Sequence, residues 1–235
     1  MGRIKMSTHE EARKILVDVI TLSQHRCKTP IAGQLAYAGI ENFVGRVIDG
    51  YSPEASDVIL LARQAAEALC QVQNALNAQG LGLYIFDAYR PLCAVKDFAT
   101  WFRAPVANAY ETERQRIHYP QLTKSDLVAQ GYIPDTVSRH NFGRAVDLTL
   151  IHLHDQSFLD MGTCFDFFDE LSHHTATAVQ LGENAYQNRQ LLLNIMQQHD
   201  FQPYPTEYWH YDYHVIEVAE PMDLPIDASL KDWNV

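Results

Sequence analysis

No apolar run in this sequence approaches the roughly 18 residues that a membrane-spanning helix needs. The opening residues, Met1-Gly2-Arg3-Ile4-Lys5-Met6-Ser7, lead into a polar stretch, Thr8 to Lys14, and not into the apolar segment of a secretory signal. Gly2 does not make a myristoylation site, because position 6 is Met and Ser7 falls one place late. Basic residues are scarce: 18 Lys and Arg stand against 29 Asp and Glu, a formal net charge of -11. That balance argues against a nucleic-acid partner, which needs clustered cations, and against an anionic membrane surface. Cysteines are few and far apart. Cys27, Cys70, Cys93 and Cys164 form no C-x-x-C pair, which excludes a thiolate zinc site and a disulfide framework and predicts buried free thiols in a reducing compartment. The expected location is cytoplasmic.

What is present fits a globular protein. With 47% hydrophobic and 20% charged residues the chain can bury a core, and 235 residues suit a single domain over 1–235. There is no repeat and no low-complexity segment. Ser52-Pro53-Glu54 has the form of a helix start. Val58, Leu61, Ala62, Ala65, Leu69, Val72 and Leu76 follow at helical spacing, which predicts one long helix over about 53–78, stopped by Gly80. Leu81 to Phe86 reads as a buried strand that delivers Asp87-Ala88-Tyr89-Arg90-Pro91 at its end. Pro91 starts a helix carrying Val95, Phe98 and Trp101. The stretch from about 104 to 134 is polar and aperiodic, as expected of a surface insertion. Further strands are predicted over Ala145 to Leu153 and Trp209 to Val218, and a helix over Asn184 to Gln198. Helices packed on a mainly antiparallel sheet, an α+β class, fit this order.

Two segments carry a candidate metal site: Ser138-Arg139-His140-Asn141-Phe142-Gly143-Arg144-Ala145-Val146-Asp147 and Glu207-Tyr208-Trp209-His210. A catalytic zinc takes three protein ligands and keeps one position open. His140, Asp147 and His210 offer two imidazoles and a carboxylate, a donor set that suits this cation. Gly143 allows the chain to bend between the first two. Glu207, shortly before His210, is placed to act as general base, and Arg90 to stabilise a developing oxyanion. Each piece has a plainer reading when taken singly. A histidine before a glycine is more often structural, a Glu near Trp-His can pair at the surface, and an Arg-Pro after a strand can anchor a loop. Order and spacing together favour the site.

The order Ser-x-His-x-x-Gly-x-Ala-x-Asp, followed downstream by Glu-x-Trp-His, resembles the zinc peptidases that include D-Ala-D-Ala carboxypeptidases, lysostaphin-type enzymes and the hedgehog signalling domain. Three further matches narrow the resemblance to the VanX-type D-alanyl-D-alanine dipeptidases. They are Asp87-x-Tyr89-Arg90-Pro91, the run Asp160-Met161-Gly162-Thr163-x-Phe165-Asp166, and Tyr37 with Asn42-Phe43-x-Gly45 and Tyr51. The resemblance spans about Tyr37 to Tyr213. The polar stretch near 104–130 departs from it, being longer than a minimal member needs.

The resemblance implies one Zn2+ per chain on His140, Asp147 and His210, with Glu207 as catalytic base and acid and Arg90 polarising the carbonyl. It implies that Asp166 holds the substrate's free ammonium, that Ser138 and Trp209 shape the C-terminal side of the pocket, and that Tyr37 and Tyr51 line it. The implied reaction is hydrolysis of D-Ala-D-Ala to two D-alanines, in peptidoglycan precursor metabolism or glycopeptide resistance. The implied partner is a small dipeptide, and a homo-oligomer stays open. The alternatives are a D,D-carboxypeptidase acting on longer muropeptides and a non-catalytic zinc-binding module. Asp166 and the want of an export signal argue against the first, and Glu207, Arg90 and Asp166 together against the second.

The other histidines make poorer ligands. His210 and His214 share a strand face but stand roughly 13 Å apart at about 3.4 Å per residue. His152 and His154 have the opposite parity to Asp147 on a continuous strand. His173-His174 has no partner pattern and reads as a polar helix or turn.

Overall fold

The computed structural model describes residues 8–235 except 217 and 219. The N-terminal reading of Met1 to Ser7 lies outside the described residues. The elements in chain order are α1 (Thr8–Ile15), β1 (Leu16–Asp18), α2 (Val19–Arg26), β2 (Ala32–Gly33), β3 (Leu60–Ala62), α3 (Arg63–Asn77), β4 (Leu81–Asp87), α4 (Leu92–Arg103), α5 (Ala109–His118) and α6 (Lys124–Ala129). The C-terminal half adds β5 (Ala145–His152), α7 (Ala178–Leu181), α8 (Glu183–Gln197), β6 (Phe201–Tyr204) and β7 (Glu207–Tyr213). This is the expected α+β class. Five strands form one sheet in the order β2-β4-β5-β7-β6, and β1 pairs with β3 in a small second sheet. Among the described strand pairings only β2–β4 is parallel. None of the described helices is long and apolar enough to cross a membrane.

The sheet is a buried layer. Every residue of β7, and every residue of β5 but the last, is buried. Leu83 and Ile85 of β4 point into the core, while Tyr84 and Phe86 alternate to the other, half-buried face. Helix α3 lies against β4, and α8 against β5, β6 and β7.

The long helix expected over 53–78 does not form. Pro53–Ala55 makes one 3-10 turn, Leu60–Ala62 is a strand, and the helix begins only at Arg63. The run Val58-Ile59-Leu60-Leu61 is buried on every side, and tertiary partners take its backbone groups. Val17 pairs with Leu61 across the small sheet. Ile59 O accepts from Val19 N at 2.8 Å, Leu60 O from Tyr89 N at 2.8 Å, and Ala62 N donates to Gly143 O at 2.7 Å. Helical spacing is also met by chance in a continuous apolar run, and here the pairing decided. This rearrangement matters for the site, because two of these bonds tie β3 to the segments carrying Arg90 and His140.

Other expectations meet smaller adjustments. The last strand ends at Tyr213 rather than Val218, where its partner β6 begins, since Phe201 pairs with Tyr213. Segment 104–134 folds as α5 and α6, and Glu111, Arg114, His118, Tyr119, Lys124, Leu127, Tyr132 and Ile133 within it are buried. It therefore packs into the body instead of lying on it. A capping box closes the start of α6, with the Thr123 and Asp126 side chains each bonded to the other's backbone N–H. The four cysteines are free, but only Cys70 is buried and Cys164, in the loop before Phe165, is exposed.

Gly143 links the fold to the site. Its φ of +65° ends a short 3-10 turn over Arg139–Phe142 and starts β5, and a Cβ there would stand 2.5 Å from Leu16 Cδ2. Gly143→Ala is expected to destabilise the protein by about 1–3 kcal/mol. Chemical denaturation measures this, and an unchanged midpoint would count against the packing described.

Candidate metal centre and substrate cavity

Three neighbouring strands put the site residues side by side. Asp147 on β5 pairs directly with Asp87 on β4 and with His210 on β7. Directly opposite residues share a sheet face, so these side chains converge by register alone. His140 arrives from the 3-10 turn. Ser138 caps that turn by accepting from His140 N, and Asn141 Oδ1 accepts from Ser138 N at 2.7 Å. Asn141 Nδ2 also donates to Arg90 O at 2.7 Å. The turn is thereby fastened to the loop after β4.

The ligand atoms face one another at short range. His140 Nε2 and His210 Nδ1 are 3.1 Å apart. Asp147 Oδ1 is 3.0 Å from His210 Nδ1, and Asp147 Oδ2 is 3.4 Å from His140 Nε2. Ligands about 2.0–2.1 Å from a tetrahedral zinc stand roughly 3.3 Å from each other, so the observed spacings fit that ion. His140 Nδ1 donates to Ala88 O at 2.6 Å, which fixes its proton there and leaves Nε2 free to ligate. Asp147 Oδ1 is buried without a hydrogen-bond donor, a deficit that a cation would fill.

Charge points the same way. Asp87, Asp147, Asp166 and Glu207 are all nearly inaccessible. The buried cation among them is Arg90, whose Nε bonds Asp87 at 2.9 Å while Nη2 reaches Asp147 at 3.6 Å. Burial alone would depress His210, yet the neighbouring carboxylates of Asp147, Asp212 and Glu207 lift it to about 10. A site that pulls a proton onto an imidazole this strongly has an excess of negative charge, and a divalent cation on the same atoms relieves it. Burial would raise Asp147 as well, but His140 and His210 hold it far below the usual carboxylate range.

The centre lies in a cavity of about 440 Å³, toward the small end of ligand pockets at roughly 300–1,000 Å³. Glu207, at the head of β7, stands with Oε2 3.7 Å from His210 Nδ1. Burial pushes its carboxyl up to about 8, with His210 and Arg90 pulling down and Asp147 and Asp212 pushing up. Asp166 enters from another wall on a left-handed turn, φ 57°. Burial, then the charges of Asp147 and Glu207, raise it well above the normal range. Its Oδ2 accepts from Tyr37 OH at 3.0 Å. The Arg90 guanidinium lies over the rings of Tyr37 and Phe98, 5.0 and 5.3 Å from their centroids.

The structure therefore gathers His140, Asp147, His210, Glu207, Arg90, Asp166, Ser138, Trp209 and Tyr37 around one cavity. Tyr51 is different. It stands one layer back, its OH donating to Asp87 Oδ1 at 2.8 Å, and so supports the carboxylate that holds Arg90. His152, His154, His173, His174 and His214 do not line this cavity.

Three contributions escaped the sequence. Asp87 gets no role from its motif alone, although it stands three residues before Arg90 and pairs with it. Asp212 Oδ1 is 3.7 Å from His210 Nε2, and Arg139 Nε is 3.2 Å from Asp212 Oδ2. The i, i+2 parity of His210 and Asp212 on a strand was the available signal. The wall formed by Val128, Gly131, Tyr132, Ile133 and Pro134 comes from segment 104–134, whose aperiodic sequence announced nothing. That wall is clipped in place by Tyr204 OH donating to Gly131 O at 2.9 Å and by Tyr132 OH against His173 Nε2 at 2.7 Å.

Comparisons with known proteins agree with this geometry. A family model described as peptidase M15, D-Ala-D-Ala dipeptidase, matches residues 23–223. The chain is 38% identical over 175 residues to the D-alanyl-D-alanine dipeptidase of Enterococcus faecalis, covering 74% of this chain and 82% of the relative. It is 35% identical to that of Streptomyces coelicolor over the same shares. To that of Escherichia coli it is 32% identical, covering 76% of this chain and 77% of the relative.

The ligand assignment predicts about one metal ion per chain in the purified protein. His140→Ala, Asp147→Ala and His210→Ala should each lower that occupancy, because two protein ligands hold zinc poorly. Elemental analysis reads this directly, and full occupancy in all three variants would sink the assignment.

Proposed function

This chain belongs to the peptidase M15 family of D-alanyl-D-alanine dipeptidases, and we propose that it hydrolyses D-Ala-D-Ala to two D-alanines with zinc on His140, Asp147 and His210. The observation that carries the proposal is the placement of Glu207, Arg90 and Asp166 around one buried His-Asp-His cluster. Zinc held there would polarise a carbonyl oxygen and lower the pKa of water to roughly 7.

The protein's own groups divide the remaining work. Glu207 is the base: its carboxylate accepts a proton from the attacking water and returns it to the departing amine. Its tendency to hold a proton, from burial, suits the second half of that task, and a cation held on the adjoining ligands would favour the ionised form needed for the first. Arg90 is fixed by Asp87 and by two aromatic rings before substrate arrives. It therefore offers its charge to the developing oxyanion without having to reorganise. Ser138 and Trp209 border the same cavity and contribute to its shape on the C-terminal side.

Substrate choice follows from charge. A free dipeptide brings an ammonium, and Asp166 is a buried carboxyl raised by burial and then by the charges of Asp147 and Glu207, so a cation beside it favours its ionised form. The ammonium of D-Ala-D-Ala supplies that cation. A blocked or longer peptide leaves Asp166 buried without it, which favours a dipeptidase over a carboxypeptidase acting on muropeptides. The small cavity, walled by Ile133, Val137, Phe168 and Trp209, fits two methyl side chains better than a longer strand of peptide.

Glu207→Gln should keep the fold and the metal and lose nearly all turnover, because an amide cannot carry the proton. Near-normal kcat in that variant would move the base elsewhere.

Wild-type protein should cleave D-Ala-D-Ala and leave N-acetyl-D-Ala-D-Ala almost untouched. Breaking one buried pair costs roughly 3–5 kcal/mol, two to four orders of magnitude in kcat/KM. Asp166→Asn should lose activity and narrow the gap between the two substrates. Cleavage of the acetylated dipeptide within about tenfold of the free one would give the carboxypeptidase reading the lead.

A further inference from the structure

Asp166 does not hold its position by itself. Its φ of 57° is left-handed, a conformation that asparagine and aspartate tolerate better than most residues but still disfavour. Its backbone carbonyl is met by a buried imidazole, with His118 Nδ1 3.0 Å from Asp166 O. The other ring nitrogen, Nε2, is 2.6 Å from Arg114 Nη2. A guanidinium can only donate. Nε2 therefore accepts, the ring proton sits on Nδ1, and Nδ1 donates to Asp166 O.

Arg114 has little freedom to do otherwise. Its Nε donates to Asn42 O at 2.8 Å, its Nη2 to Glu41 O at 2.7 Å, and its Nη1 to Glu41 Oε2 at 2.8 Å. Arg114 and His118 are four residues apart on α5, one above the other on the same helix face. The backbone of His118 grips the far side of the turn, because His118 O accepts from Phe168 N at 2.7 Å. Burial and the neighbouring Arg114 push the imidazole down to about 4, so it stays neutral with one fixed tautomer. The result is a strut from the Glu41-Asn42 loop through α5 to the residue that faces the substrate.

We propose that His118, oriented by Arg114, is a positioning residue for substrate recognition: it holds the Asp166 backbone in the conformation that aims the carboxylate across the cavity at the dipeptide's ammonium. The proposal rests on the reading of Asp166 given above. It also assigns a task to segment 104–134, since α5 exists within it.

His118→Phe keeps a ring and removes the donor, while His118→Asn returns a donor near the Nδ1 position. Expected for His118→Phe are unchanged metal content, kcat within about threefold, and a KM for D-Ala-D-Ala raised about tenfold, the size of one hydrogen bond. Its preference for free over N-acetylated dipeptide should shrink by a similar factor, and His118→Asn should recover most of both. A crystal structure of His118→Phe should show Asp166 out of the left-handed region, with its bond from Tyr37 lost. Asp166→Asn, measured alongside, separates the two readings. If Asp166→Asn loses the preference and His118→Phe keeps it, with Asp166 unmoved, the strut is overturned and the ammonium reading stands. If Asp166→Asn keeps the preference, the ammonium reading falls and takes the role of His118 in recognition with it. Should His118→Phe fail to fold, Arg114→Lys carries the test, because it releases the ring without adding bulk. A smaller narrowing of the same preference supports the strut, and an unchanged preference overturns it.

Discussion

Negative charge held out of water organises this protein. Asp87, Asp147, Asp166 and Glu207 stand within one small buried region, where like charges repel strongly and desolvation penalises each ionised form. Arg90 answers part of this, shared between Asp87 and Asp147. On the proposed reading the remainder is met by bound groups: a cation on His140, Asp147 and His210, and the ammonium of a dipeptide at Asp166. Binding and catalysis thus draw on one electrostatic imbalance, which the fold maintains and the ligands relieve.

Maintaining it is the task of the layers behind the cavity. Cross-strand register places Asp87, Asp147 and His210 in a row, and an error of one residue in any strand would turn one of them to the opposite face. The β3 segment fastens the loops carrying Arg90 and His140 through Leu60 O and Ala62 N. Tyr51 steadies Asp87, Ala88 O fixes the tautomer of His140, and Asp212 stands behind His210. Segment 104–134 supplies one wall of the cavity and, through His118, the support beneath Asp166. Removing a supporting group would loosen a reacting one without touching substrate.

Much of this was legible in the sequence for identifiable reasons. A metal site and a base require particular residue types at particular spacings, so His140, Asp147, Glu207 and His210, which the structure brings together, could be named as candidates before any coordinates. Strands β4 and β5 were visible because their apolar character and flanking turns are local. The helix expected over 53–78 failed because Val58 to Leu61 takes its conformation from Leu16 to Asp18 and from Gly143, partners distant in sequence. Tyr51 was placed in the pocket because its motif resembles one that lines it, whereas its hydroxyl is committed to Asp87. The roles of Arg114 and His118 depend on one carbonyl reached across the chain, and no spacing rule reports such a contact. Burial of a polar stretch as α5 and α6 is likewise a tertiary outcome, with Lys124 lying over the Trp101 ring and paired with Glu111.

The central claim is that the buried acidic cluster works only when a metal ion completes it. Turnover of D-Ala-D-Ala, followed by release of D-alanine while zinc is titrated into chelator-stripped protein, tests this most directly. Activity should be absent at the start, rise linearly and level off at about one zinc per chain. Full turnover by the metal-free protein, with its fold intact by circular dichroism, would contradict the account.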